Sequence, residues 1–200
     1  MKGGAKAGAA RREAIIRAAI DLFAKKGFHA TSTAEVARLA GVSEGIVFYH
    51  FQTKEGILVH LLTSVLEDYI RDMARTVREA ASGLEAVERY IDFHFRQLKA
   101  NAKLLLLVVR DFPSSLATGK TPQARHVRAQ AAAMHALVVE CLRRGHQDGS
   151  VRPCPLEETA QILRGLLTGA TRMKLLGLAR DQELAEEVKA FCRRALLPTP

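Results

Sequence analysis

The chain is short of cysteine. Cys141, Cys154 and Cys192 are odd in number, far apart, and without a Cys-x-x-Cys spacing. Zinc ribbons and dithiol redox motifs are thereby excluded, and free thiols packed as small hydrophobes in a reducing cytoplasm are expected. The 7 histidines form no His-Glu-x-x-His pair, so no metal site and no cofactor are expected. A P-loop, a dinucleotide fingerprint and a nucleophile elbow are also missing, which argues against an enzyme. The most apolar run, "LLLLVV" at Leu104–Val109, is far shorter than the roughly 20 residues a membrane span needs. The N-terminal stretch "MKGGAKAGAARREAII" lacks the apolar core of a signal peptide. No segment alternates convincingly at period two, so strands are not expected either.

What is present is helical periodicity and positive charge. Hydrophobic residues make up 48% of the 200, the formal net charge is +9 and the isoelectric point about 9.8. Such a chain can bury a core without disulfides, and its charge favours a polyanionic partner. The reading is all-α: a flexible tail over residues 1–9, a three-helix unit over 10–53, and a larger helical bundle over 54–200. In the first helix Ile15, Ile16, Ala19, Ile20 and Phe23 form the apolar stripe, and Gly27 stops it. Helices further on end at Gly145 and are interrupted by the loop "FPSSLATGKTP".

Between Gly27 and the long helix that starts at Thr53 lie two short helices. "STAE" at Ser32–Glu35 has the spacing of a reciprocal N-terminal cap, and Gly41 is the residue best able to take a left-handed turn. Ser43 starts the next helix, with Glu44 in its first turn, where the helix dipole favours an anion. This second helix carries Phe48, Tyr49, His50 and Phe51 in an unbroken row. A helix buries one stripe, so these rings cannot all be core. Phe51 reads as the inward anchor, with Val36, Ala40, Val42 and Val47 inside the unit. Two short helices around a glycine turn form a helix-turn-helix, whose second helix fits the major groove. Tyr49 and His50 then offer hydrogen-bonding tips to phosphates, Ile46 or Phe48 can touch a thymine methyl, and Gly45 lets the backbone approach.

The stretch "TSTAEVARLAGVSEGIVFYHFQTKEGIL" over Thr31–Leu58 resembles the DNA-binding half of the TetR family of bacterial transcriptional regulators. The resemblance rests on Ala-Gly-Val-Ser, the glycine two residues later, the aromatic run ending Tyr-His-Phe, and Lys-Glu. It implies a homodimer with a ligand-responsive C-terminal bundle, usually a repressor that a small molecule releases from a pseudo-palindromic operator. By position it implies phosphate contacts from Ser32 or Thr33, Ser43, Tyr49, His50 and Lys54, and base-facing roles for Glu44, Gly45 and Ile46. Phe48 stands where the family often has tyrosine, and Glu44 where lysine is common; an acid there repels phosphate unless it accepts from a cytosine amine.

In the bundle, His94 lies on an apolar stripe, with Tyr69 and Met134 on stripes of neighbouring helices. These three residues either line a cavity for a hydrophobic or amphipathic effector or are satisfied core groups. Leu163, Leu167, Ala170, Leu184, Val188 and Phe191 on the last two helices exceed what one bundle edge needs, and the resemblance makes them the dimer interface. Arg11, Arg12, Arg17, Lys25 and Lys26 form either a phosphate-facing rim or a solvated face. An architectural DNA binder without an effector is the alternative to a ligand-responsive regulator.

Overall fold

A computed structural model describes residues 2–111, 116, 118–179 and 183–198, and all regular structure among them is helical. In chain order the helices are α1 (Lys2–Lys26), α2 (Thr33–Ala40), α3 (Glu44–Phe51), α4 (Lys54–Arg78) and α5 (Gly83–Ala100). After these come α6 (Ala102–Asp111), α7 (Pro122–Asp148), α8 (Leu156–Leu175) and α9 (Leu184–Leu196). Helix α1 begins at Lys2, ahead of the start expected at Ala10; the alanines of "AKAGAARR" are strong helix formers. The loop expected around "FPSSLATGKTP" lies partly outside the described residues, and within it Leu116 and Thr118 have helical backbone.

The chain divides into two compact units. The first holds the described residues up to Val65 together with those from Lys103 to Asp111, and so runs past the boundary that the sequence suggested at Thr53. In it α1 packs on α2 and α3, and α2 packs on α3. Of the expected stripe Ile15, Ala19 and Phe23 are fully buried and Ile16 and Ile20 half-buried; Val36, Val47, Ile57 and Leu58 close the core around them, while Ala40 and Val42, also expected inside, are half-buried. Phe23 and Phe28 meet edge to face at 5.3 Å, a preferred aromatic geometry.

The second unit holds Leu66–Ala102 and the residues from Leu116 onward. Helix α5 is its centre and packs on α7, α8 and α9. The crossing of α5 and α7 is built from two glycines. A methyl group added to Gly83 would sit 2.0 Å from the Gly145 backbone nitrogen, and one added to Gly145 would sit 2.3 Å from Val151. Gly145 is therefore not the stop that the sequence suggested. It lies inside α7, which continues to Asp148 and ends at Gly149 with φ 74°. The close approach lets the end of α7 cap the start of α5: the Gly83 amide donates to the Asp148 carboxylate at 2.7 Å and the Leu84 amide to the Ser150 hydroxyl at 3.0 Å. Arg144 completes the joint by donating to the Ala80 carbonyl.

Because the atoms nearest the added methyl, Gly145 N and Cα and the Cys141 carbonyl oxygen, are all backbone, Gly83→Ala should lower unfolding free energy by about 1–3 kcal/mol, the usual range for overpacking. Urea titration followed by circular dichroism measures this, with helicity at zero denaturant retained.

Candidate nucleic-acid interface

The turn between α2 and α3 follows local rules closely. Ser32 accepts from the Glu35 amide while the Glu35 carboxylate accepts from the Ser32 amide, so the reciprocal cap expected from "STAE" is formed. Gly41 takes the left-handed conformation at φ 67° and its amide returns to the α2 carbonyls. Lys26 donates to Glu35 at 2.5 Å. With that bond as the largest cause and the two Ser32 bonds adding to it, the Glu35 carboxyl is held down at about 2. Glu35 is thus a structural acid, its charge matched at the base of the motif.

Helix α3 presents one face inward, through the buried Val47 and Phe51. Outward it exposes Tyr49, which is 83% accessible, and Phe48, at 46%. Glu44 and Gly45 are exposed, and Ile46 and His50 are half-buried. Ser43 stands at the N-cap position without a side-chain cap bond, so its hydroxyl is not consumed by its own helix. Ser32 and Thr33 differ in this respect. The Ser32 hydroxyl donates to Glu35 at 3.0 Å and the Thr33 hydroxyl to Glu44 at 2.5 Å. A hydroxyl has one hydrogen to give and a phosphate can only accept, so these two donors are occupied as the protein stands.

Lys54 is placed in the same way. Its Nζ donates to the carbonyls of Phe28 (2.9 Å), His29 (3.3 Å) and Thr31 (2.8 Å), and lies 4.5 Å from the Phe28 ring centroid. An ammonium has three donors, and all three are used. Lys54 thus fastens the loop between α1 and α2 to the start of α4, and only its charge, not a hydrogen, remains for DNA.

The link from α3 to α4 is one residue tighter than an ordinary turn. The Thr53 amide donates to the Phe51 carbonyl at 2.6 Å across Gln52, whose φ of 61° is the one positive value at a non-glycine among the described residues. This is a three-residue turn of the strained hand. It brings the Phe51 carbonyl to 2.0 Å from where a Cβ on Gly56 would be. The sequence reading missed Gly56; a glycine in the first turn of a long helix was the available signal. Arg12 of α1 seals this corner, with its guanidinium 5.3 Å from the Phe51 centroid and 3.1 Å from His60 Nδ1. Of the other suggested rim cations, Arg17 pairs with Glu13 and Lys26 with Glu35.

In the second unit two of the three suggested effector residues, Tyr69 and His94, fall into a connected polar group with Thr171. The Tyr69 hydroxyl lies 2.9 Å from His94 Nδ1, and His94 Nε2 lies 2.7 Å from the Thr171 hydroxyl. Burial lowers the His94 imidazole to about 4, opposed by a hydrogen bond to the Leu167 backbone, and burial raises the Tyr69 phenol. His94 is therefore neutral at pH 7, with both ring nitrogens partnered. A separate open depression of about 560 Å³ is lined by Ile70, Ala133, His135, Leu137, Arg143 and Glu157 among others, and Tyr69, His94 and Met134 do not line it. Met134 is half-buried on α7.

The suggested dimer residues separate by burial. Leu163, Leu167, Ala170 and Val188 are buried within the protomer, Leu184 is half-buried and Phe191 is 57% exposed. The apolar side chains that α8 leaves exposed are Ile162 and Met173. Among the described residues no three His, Cys, Asp or Glu side chains gather as metal ligands. No described helix is long and apolar enough to cross a membrane.

Two short helices joined at a left-handed glycine, the second with rings and polar tips turned outward, define a helix-turn-helix DNA-binding domain. Residues 15–61 match the family model for bacterial regulatory proteins of the tetR family. The chain is similar to the HTH-type transcriptional regulator RutR of Escherichia coli (strain K12), at 33% identity over 110 residues. That match covers 55% of this chain and 46% of RutR. It is also similar to the fatty acid metabolism regulator protein of Bacillus subtilis (strain 168), 30% identical over 93 residues, 46% of this chain and 48% of that one. The chain thus spans about half the length of the curated relatives it matches. Over 90% of its length it shares the fold of Bacillus subtilis FadR, solved in complex with stearoyl-CoA, with a TM-score of 0.76 and 20% identity; 96% of that chain is covered. These relatives are regulators, not enzymes.

Two outcomes follow from the placements above. Lys54→Met leaves three carbonyls without their ammonium and should cost about 1–3 kcal/mol in urea unfolding. For His94, the folded imidazole titrates at about 4 and the unfolded one near 6.5. The unfolded chain binds the extra proton between these values, so the His94 contribution is complete above pH 6.5 and is lost as pH falls to 4. The slope is at most about 1.4 kcal/mol per pH unit. Stability measured from pH 7.5 to 4 should fall less steeply in His94→Gln than in the parent.

Proposed function

We propose that the protein is a ligand-responsive, sequence-specific DNA-binding regulator, and specifically a repressor released from its operator by a small molecule. The observation that carries this reading is the outward face of α3, where Glu44, Gly45, Phe48 and Tyr49 are exposed while Val47 and Phe51 hold the helix to its unit. Ser43, Tyr49 and His50 are the phosphate contacts in this reading, with Ile46 and Phe48 against thymine methyls. Ser32, Thr33 and Lys54 act by holding the motif in shape, and Lys54 adds charge. The net charge of +9 supplies the salt-dependent attraction to DNA.

The protein acts as a homodimer in this proposal, reading a pseudo-palindrome whose half-sites lie about one helical turn apart. The paired surface is the face of α8 that carries Ile162, Gly165, Gly169 and Met173, joined by Phe191 of α9. Ile162 is 68% exposed, and a Cβ on Gly165 or Gly169 would meet nothing within the protomer. Glycine inside a helix costs about 1 kcal/mol relative to alanine, and close approach of a second helix offsets that cost. The effector is hydrophobic or amphipathic, acts within the second unit near Tyr69, His94 and Met134, and binds better to the state that fits DNA worse. The stearoyl-CoA held by the FadR of similar fold makes long-chain acyl-CoA thioesters the first class to test.

Fluorescence anisotropy with the DNA upstream of the protein's own gene should give at least about 10³-fold tighter binding than to a shuffled duplex. Added acyl-CoA should weaken it. Equal affinity for both duplexes with a steep salt slope would replace this reading with phosphate-driven, architectural binding. Ile162→Glu with Phe191→Glu should convert a dimer to a monomer in sedimentation while helicity is kept.

A further inference from the structure

We propose that Glu44 reads a cytosine in each half-site, and that Thr33 is the positioning residue that holds Glu44 to do so. The inference rests on the DNA-binding reading above and gives it a base identity. Glu44 is the first residue of α3 and Thr33 the first of α2. The Thr33 hydroxyl donates to one Glu44 carboxylate oxygen at 2.5 Å, which ties the starts of the two helices together across the motif.

A carboxylate can only accept hydrogen bonds. On DNA, phosphates offer none, and the thymine and guanine edges in the major groove present O4, O6 and N7 as acceptors. The amines that donate there are cytosine N4 and adenine N6. Adenine places its N7 acceptor beside N6, against a carboxylate lone pair, whereas cytosine N4 has no acceptor on its own base edge in the groove. An acid at the tip of a recognition helix therefore favours cytosine and opposes thymine and guanine.

Two features keep Glu44 at that tip, and two more leave it free to meet a base. Thr33 holds one oxygen, and the positive end of the α3 dipole favours the charge where it stands. Among the described residues no lysine or arginine pairs with Glu44, in contrast to Glu35, whose charge Lys26 matches at 2.5 Å. Beside it, a Cβ on Gly45 would meet only the Ser43 hydroxyl, at 3.9 Å, so the backbone is open to a base edge. Placing this charge against DNA without a donor is costly, and that cost is what discriminates.

The test is selection from a random duplex library with the parent protein and with Glu44→Gln, Thr33→Val and Thr33→Ser, followed by affinity measurement on the selected duplex. The parent should enrich a two-fold motif with a fixed cytosine in each half, and replacing that cytosine by thymine should weaken binding about 5- to 150-fold. Glu44→Gln should keep the rest of the motif but exchange the cytosine for adenine, which an amide reads in both directions. Thr33→Val should blur the cytosine position and Thr33→Ser should restore it, with helicity by circular dichroism retained in both. A parent motif without that cytosine, or the same cytosine in Glu44→Gln, overturns the proposal and leaves the regulator reading intact. Failure of the parent to enrich any motif overturns the regulator reading itself.

Discussion

One ammonium group holds the helix-turn-helix together. Lys54 spends its three hydrogens on the carbonyls of Phe28, His29 and Thr31, so the loop into α2 and the first turn of α4 cannot move independently. The strained turn at Gln52 and the bare Cα of Gly56 tie the end of α3 to the same point. Helix α3 is only eight residues long, too short to be stable alone. Its orientation must come from such attachments, and base reading requires an orientation fixed to within a fraction of an ångström.

The motif carries two acids in a basic chain, and they solve the charge problem differently. Glu35 is neutralised by Lys26 and locked by Ser32, which drives its carboxyl to about 2 and makes it part of the scaffold. Glu44 has a hydroxyl partner and a helix end, but no cation. A lysine in place of Glu44 would add phosphate attraction on every sequence. The acid gives up that general affinity, and what it gains is a demand for a donor. Phosphate contacts position and base contacts specify; the role proposed for Glu44 is of the second kind.

The parts of the fold that sequence reasoning reached are those set by neighbours along the chain. The Ser32–Glu35 cap, the left-handed Gly41 and the inward Val47 and Phe51 all follow from spacing and residue type. Some of what it missed is local, as at Gly56 against the Phe51 carbonyl, but the larger misses are set by groups far apart in sequence. Nothing in "TKEG" tells that Lys54 reaches back 26 residues to Phe28, and Gly145 looked like a helix stop because its partner, Gly83, is on another helix. On α8 the periodicity was right and the face ambiguous. Leu163 and Leu167 share the buried stripe, while Ile162 and Met173 share the exposed one; both stripes contain apolar residues, so residue type alone cannot say which faces the core. Thr33 and Glu44 were each legible as surface residues of the motif, but their bond was not.

The second unit imposes a condition on any effector that enters near His94. Tyr69, His94 and Thr171 already satisfy one another, and His94 is neutral. A purely apolar molecule that separated them would strand buried polar groups, each at a cost of about 1–3 kcal/mol. To shift a conformational equilibrium, a ligand needs a differential affinity for the two states, and every bond it breaks without replacement subtracts from that difference. An effector acting here must therefore carry an acceptor or donor that re-forms one of these bonds while its apolar part displaces core contacts. A thioester or an amide set in an aliphatic chain meets both conditions, whereas a plain hydrocarbon meets only the second.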